Sequence, residues 1–235
     1  MRRVVMITML LVLSTKNTHG RTEWGCTGAS NTGTFQRSTG CTISGTSTSN
    51  GGGVVVTNTL EIVGTVEDMN NLIVITAPSK QRHFYINGVN DKLILRYLKL
   101  IGGDVSSYIH NPDGDGGSIC IWKSGGTLQL YASILANNKA INKLFGSGGA
   151  IYVFGDETNS NPIIIQIHQT IINNNKGQSG AGMALLYSTC TMVNSTVSGN
   201  SASLASGSDV DVSSAGGMFI KASSVVIRRS VISGN

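Results

Sequence analysis

Charge is scarce in this sequence: Asp, Glu, Lys and Arg make up 12% of its 235 residues, and aromatic residues only 6%. That scarcity argues against a nucleic-acid-binding surface, and after residue 20 the only short basic cluster is Arg228-Arg229. Proline occurs three times, too rarely for a proline-rich linker. The four cysteines, Cys26, Cys41, Cys120 and Cys190, contain no C-x-x-C pair, so a structural zinc site has no support. Long apolar runs are missing too. The longest, Val4 to Leu13, is ten residues with one threonine, whereas a membrane-spanning helix needs about 20. Helical periodicity is weak throughout.

What is present is Gly, Ser, Thr and Asn crowded between short runs of Val, Ile and Leu, a β-rich composition. Arg2 and Arg3 precede the apolar run, and Ser14 to Gly20 are polar or small, so residues 1–20 read as a secretory signal peptide. Removing them deletes Arg2, Arg3 and Lys16, leaving 14 basic against 12 acidic residues, a formal +2. A secreted chain permits disulfides, and Cys26 and Cys41, enclosing a short glycine-rich stretch, are the expected pair. Cys120 and Cys190 lie in apolar strand patterns, where a bridge and a buried free thiol both remain open. Residues 21–53 read as a Gly/Ser/Thr-rich N-terminal segment or cap, and residues 54–235 as the body of one domain.

That body repeats. Gly116-Gly117-Ser118-Ile119, Gly148-Gly149-Ala150-Ile151, Gly180-Ala181-Gly182-Met183 and Gly216-Gly217-Met218-Phe219 start at intervals of 32, 32 and 36 residues, and each opens an apolar run. A second element ends in asparagine: Ala132-Ser133-Ile134-Leu135-Ala136-Asn137-Asn138, Gln169-Thr170-Ile171-Ile172-Asn173-Asn174, Asn194-Ser195-Thr196-Val197-Ser198-Gly199-Asn200 and Arg229-Ser230-Val231-Ile232-Ser233-Gly234-Asn235. Its apolar anchors align as Leu100, Ile134, Ile171, Val197 and Val231. Between the two lies a middle strand, as in Leu128-Gln129-Leu130.

Three short strands per ~32 residues cannot bury their apolar faces alone, but stacking successive units about 4.8 Å apart makes one continuous core. The expected fold is all-β: a right-handed parallel β-helix, a solenoid with three strands per coil. Asparagine amides carry donors and acceptors, so Asn137, Asn174, Asn200 and Asn235 are expected to form a hydrogen-bonded ladder along the axis; the competing reading makes them ordinary turn formers.

These segments resemble the GGAI and FxxN repeats of the polymorphic outer-membrane proteins of chlamydiae and, more broadly, pectin-lyase-like β-helices. Gly148-Gly149-Ala150-Ile151 reproduces the first motif, while the second carries an aliphatic residue in place of Phe. The likeness covers about residues 84–235. It implies a secreted or cell-surface passenger module used in adhesion, at the outer membrane if the source is a Gram-negative bacterium, with a host-surface glycan or protein as ligand. Members of that family end in a membrane β-barrel, and nothing of that kind precedes Asn235; a fragment, or self-association through an open end of the β-helix, is the expectation.

Many β-helices cleave acidic polysaccharides, so a polysaccharide-active or carbohydrate-binding protein is the alternative. Polygalacturonase-like Asn-Thr-Asp, Asp-Asp and Gly-His-Gly segments are absent, as is the Arg-x-Pro-x-x-Arg signature of pectate lyases. His83, His110 and His168 stand in no such setting. No catalytic residue and no cofactor is assigned. Asp113 and Asp115, alternating with glycine, are the weak candidates for a calcium loop, though the distal bidentate Glu is missing. Asp156-Glu157 and Asp209-Val210-Asp211 read as solvated loop charges. Asn194-Ser195-Thr196 is an N-glycosylation sequon. Tyr85, Tyr97, Tyr108, Trp122, Tyr131, Tyr152 and Tyr187 are expected in the core or scattered; a carbohydrate-stacking strip is the alternative, and Trp122 with Phe154 is its best pair.

Overall fold

The computed structural model describes residues 21–46, 51–107, 114–122, 125–141, 147–158, 161–203 and 215–235; the signal-peptide reading, His110, Tyr108, Asp113 and the Asp209-Asp211 charges lie outside them. The first coils contain β1 (Thr22–Glu23), β2 (Gly33–Arg37), β3 (Cys41–Thr42), β4 (Val54–Val56), β5 (Thr59–Gly64), β6 (Ile73–Thr76), β7 (Phe84–Ile86), β8 (Lys92–Arg96) and β9 (Leu98–Ile101). The next two are β10 (Ile119–Trp122), β11 (Thr127–Tyr131), β12 (Ile134–Ala136) and β13 (Lys139–Ala140), then β14 (Ile151–Phe154), β15 (Ile163–His168), β16 (Ile171–Asn173) and β17 (Lys176–Gly177). Then come β18 (Met183–Leu186), β19 (Ser188–Val193), β20 (Thr196–Ser198) and β21 (Ser201–Ala202), and finally β22 (Met218–Lys221), β23 (Ser224–Arg228) and β24 (Val231–Ser233).

Every strand pairs in parallel with its equivalent one coil away. The eight-stranded sheet runs β1-β2-β5-β8-β11-β15-β19-β23, the six-stranded sheet β22-β18-β14-β10-β7-β4, the seven-stranded sheet β24-β20-β16-β12-β9-β6-β3, and a short fourth sheet β13-β17-β21. The chain is a parallel β-helix with three principal strands per coil, and no α-helix occurs among the described residues. Among those residues no helix is long and apolar enough to cross a membrane. The stack starts before Val54: β2 pairs with β5 and β3 with β6, so residues of the N-terminal segment already form a coil. Trp24, fully buried, closes the core over Phe84 at a ring separation of 6.0 Å. Cys26 and Cys41 form a disulfide across this coil, their Cα atoms 6.5 Å apart.

Alternation decides what is inside. Leu93, Leu128, Ile165 and Cys190 stack as one buried column of the eight-stranded sheet, and Leu95, Leu130, Ile167 and Met192 as the next. Cys190 is therefore a free thiol of the core, where burial pushes its pKa up to about 12. In the seven-stranded sheet the buried column is Leu100, Leu135, Ile172 and Val197. The sequence alignment placed Ile134 and Ile171 there, but both lie on the outer side, one residue out of register, as does Val231, whose neighbour Ile232 continues the inner column. Adjacent aliphatic residues in a three-residue strand do not reveal which one points inward. The glycine pairs also shift: Met183 pairs with Met218, so the last interval is 35 residues and Gly216 stands over Ala181.

The second glycine of the first two pairs, Gly117 and Gly149, is required by close approach. A Cβ on Gly149 would run into the carbonyl oxygens of Ala181 on the next coil and of Lys176 where its own coil closes. Gly149→Ala is expected to cost about 1–3 kcal/mol of stability. Gly25→Ala, where the nearest atom would be Ser30 Oγ at 3.7 Å, is expected to be close to neutral. Urea titration of the two variants checks the contrast.

The amide ladder is real but runs through Asn138, Asn175, Asn200 and Asn235. Asn138 donates its backbone N–H (2.9 Å) and Nδ2–H (3.0 Å) to Asn175 Oδ1. Asn175 donates the same pair to Asn200 Oδ1 at 3.0 and 2.9 Å, and Asn200 to Asn235 Oδ1 at 3.1 and 2.9 Å. Asn137 and Asn174 stand one residue earlier, at left-handed corners with φ of 56° and 55°, a place that Gly102, Gly199 and Gly234 take in other coils. Asparagine is the side-chain-bearing residue that best tolerates that conformation, which is why two asparagines stand in succession there. Both readings of the asparagines thus apply, to adjacent residues.

A second ladder follows the opposite corner. Ser133, Thr170, Ser195 and Ser230 each donate a hydroxyl to the carbonyl two residues back, at 2.8–2.9 Å. The hydroxyls of Ser195 and Ser230 accept the N–H of Thr170 (3.1 Å) and Ser195 (3.0 Å) from the preceding coil.

Candidate functional site

The outer side of the six-stranded sheet carries Tyr85, Trp122, Tyr152 and Phe154. Tyr85, Cys120, Tyr152 and Ala184 form one outward column that is nonetheless buried. Burial, then the charge of Asp115, pushes the Tyr152 phenol far above its ordinary range, and the Arg82 guanidinium lies 5.3 Å from the Tyr85 ring centre. Cys120 is a buried thiol within this cluster and takes part in no disulfide. Asp115 is buried and its Oδ1 accepts the Ser147 N–H at 2.7 Å, so it ties one inter-coil loop to the next. Among the described residues no three His, Cys, Asp or Glu side chains are grouped to hold a metal ion.

The second outward column is half-buried and packs against the first. In-register pairing of β10 with β14 sets Trp122 beside Phe154, with ring centres 4.7 Å apart at 23°. Tyr187, in the left-handed region at φ 52°, meets Phe154 edge-on at 5.9 Å. The chain then turns outward at Gly155, where a Cβ would collide with the Tyr187 carbonyl oxygen. Glycine is needed to bring this loop so close to the aromatic column. Within the loop Asp156 Oδ1 accepts the Thr158 N–H at 3.0 Å, and that bond holds the Asp156 carboxyl below its usual range. Glu157 Oε1 accepts the Tyr187 hydroxyl at 2.7 Å, which raises the phenol's pKa. Phe154, Gly155, Asp156 and Glu157 line a cavity of about 390 Å³. Lys221 Nζ lies 6.0 Å from the Tyr187 ring centre.

The eight-stranded sheet carries a different outward stack. Glu61 accepts from Arg96 Nε at 3.0 Å, the Arg96 guanidinium lies 4.0 Å from the Tyr131 ring centre, and Tyr131 stacks on His168 at 5.2 Å and 8°. Partial burial and then Arg96 lower the His168 pKa. His83 is wholly buried; its Nε2 bonds the Ile75 carbonyl at 3.1 Å and its Nδ1 the Ser118 hydroxyl at 3.0 Å. A neutral ring donating from Nε2 and accepting at Nδ1 satisfies both, and burial lowers its pKa to about 4.

No family model, no curated protein and no solved structure matches this chain. Geometry therefore carries the functional reading.

Sequence reasoning singled out Trp122 and Phe154, which the structure stacks together. It treated Asp156 and Glu157 as solvated loop charges; they are exposed, and they also rim the cavity. Tyr187 was one tyrosine among many, distinguished only by lying just after Leu186, the register partner of Phe154. Tyr85 and Tyr152 are buried, and Tyr131 faces outward on another sheet, so the tyrosines form no single strip.

Asn194 lies exposed at the corner between β19 and β20. Synthesis through a glycosylating secretory pathway is expected to add one N-linked glycan there. The added mass should disappear on treatment with peptide N-glycosidase and in Asn194→Gln.

Proposed function

We propose that this protein is an exported, non-enzymatic β-helix repeat module that works by binding at a cell surface, in adhesion or a comparable interaction. The observation that carries the reading is the outer corner formed by Trp122, Phe154 and Tyr187. There, the Phe154 ring, braced by Trp122 and Tyr187, and two carboxylates line an open cavity on a solenoid whose interior is filled by side chains. Binding sites are of this kind, an apolar wall with a few fixed polar groups. The likeness of the Gly-Gly-Ala-Ile and asparagine-ended repeats to polymorphic outer-membrane proteins supports the same reading, as do the apolar leader and the Cys26–Cys41 disulfide.

Catalysis at the cavity would fall to Asp156 and Glu157, whose carboxylates already accept from the Thr158 N–H and the Tyr187 hydroxyl. The described histidines are occupied elsewhere: His83 in the core, His168 against Tyr131. The deciding experiment coats beads with the full chain and measures their retention on a panel of cell surfaces and extracellular polymers, while assaying the same polymers for released reducing or unsaturated ends. Retention without release is expected. Release of ends would replace this reading with a polysaccharide-active enzyme, and absence of retention on every surface would refute it.

A further inference from the structure

We infer that the cavity beside Phe154 receives an alkylammonium group of the ligand. This rests on the surface-binding reading and adds the chemistry of what is bound.

The wall and the rim point to the same charge. Phe154 supplies an aromatic ring, and Asp156 and Glu157 supply two carboxylates. An aromatic face attracts a cation through its quadrupole, most strongly when water is displaced. Ionised carboxylates favour the same partner, because covering them with a neutral group leaves their charge uncompensated at a large desolvation cost. The carboxylates are also held in place. Asp156 is fixed and kept ionised by the Thr158 N–H, and Glu157 is tethered by the Tyr187 hydroxyl.

The corner already attracts one cation of its own, since Lys221 Nζ lies over the Tyr187 ring. No Lys, Arg or His lines the cavity among the described residues. An anionic sugar would meet two like charges there, and a neutral one would use the ring but not the charge. The volume, about 390 Å³, lies near the lower end of small-ligand clefts, about 300–1,000 Å³, and suits one head group rather than an extended chain.

The test titrates the full chain with choline and its neutral isostere 3,3-dimethylbutanol, and separately with glucosamine and glucose, by calorimetry or ligand-observed NMR. Choline is expected to bind about tenfold more tightly than the isostere, and added salt should weaken it. Preference for glucosamine over glucose would identify an amino sugar as the natural source of the group; preference for choline alone would identify a quaternary ammonium. Phe154→Leu keeps the bulk but loses the ring, and Asp156→Asn keeps the shape but loses the charge. Each is expected to weaken choline about tenfold with the melting transition unchanged, and Phe154→Tyr should restore binding. Equal affinity for charged and neutral probes, or no binding of any probe, overturns the inference. Bead adhesion that persists under saturating choline would also overturn it while leaving the surface-binding reading intact.

Discussion

Asn175→Leu is expected to lower the free energy of unfolding by about 2–5 kcal/mol, while Asn174→Gly changes it by less than about 0.5 kcal/mol. Asn175 is buried and joins three coils: its Oδ1 accepts from Asn138, and its Nδ2 donates to Asn200 Oδ1 and to the Leu135 carbonyl at 3.1 Å. Leucine fills similar space but leaves the Asn138 N–H and the Leu135 carbonyl without these partners in a dry interior. Each such orphan costs about 1–3 kcal/mol. Asn174 is exposed, and its φ of 55° is one that glycine adopts freely, as Gly199 does at the equivalent corner. Equilibrium urea unfolding of the two variants decides the register of the ladder. A large loss at Asn174 with little at Asn175 would move the ladder back by one residue.

Acid is expected to weaken the fold through His83. The buried ring stays neutral down to about pH 4, whereas in the unfolded chain it takes up a proton near 6.5. Between these values the unfolded state binds more protons, so stability falls as pH drops from 6.5 to 4, by up to about 3 kcal/mol. Below about 4 both states are protonated and the loss from this residue stops. His83→Gln, whose amide can still donate to Ile75 and accept from Ser118, should flatten this part of the profile. The check is a series of melting curves across the window for both proteins. An identical slope in the variant would remove His83 as the cause.

The architecture was legible because stacking forces repetition: a residue type suited to one coil is suited to the position above it. Glycine at close approaches and amides in a buried row leave compositional marks, and those marks gave the fold. Fine register left less. At the corner between the eight- and seven-stranded sheets, Tyr97, Ala132, Gln169, Asn194 and Arg229 all take the left-handed conformation, with φ between 45° and 56°. Their side chains share nothing. The bend is held by backbone bonds such as Ala132 N–H to the His168 carbonyl at 2.9 Å, so no residue preference records it. Without that landmark, neighbouring asparagines and neighbouring aliphatics could each be aligned one position out. The hydroxyl row of Ser133, Thr170, Ser195 and Ser230 was the available landmark, since each directly follows one of these corner residues.

The candidate site was half legible for the same reason. Trp122 and Phe154 occupy equivalent strand ends and so could be paired from the repeat. Tyr187 and the Asp156-Glu157 loop lie beyond the strands, and only the course of the chain past Gly155 brings them together.

The central claim is that equivalent strands lie side by side in one continuous parallel stack. Spin labels at Thr59, Lys92 and Ser224, all on the outer face of the eight-stranded sheet, test it by electron–electron resonance. Lys92 and Ser224 are four rungs apart through Thr127, Ile164 and Thr189, and Thr59 pairs with Lys92. At about 4.8 Å per rung, backbone separations of about 19 Å for Lys92–Ser224 and about 24 Å for Thr59–Ser224 are expected. Distances above about 35 Å, or a Thr59–Ser224 distance shorter than that of Lys92–Ser224, would contradict the stack.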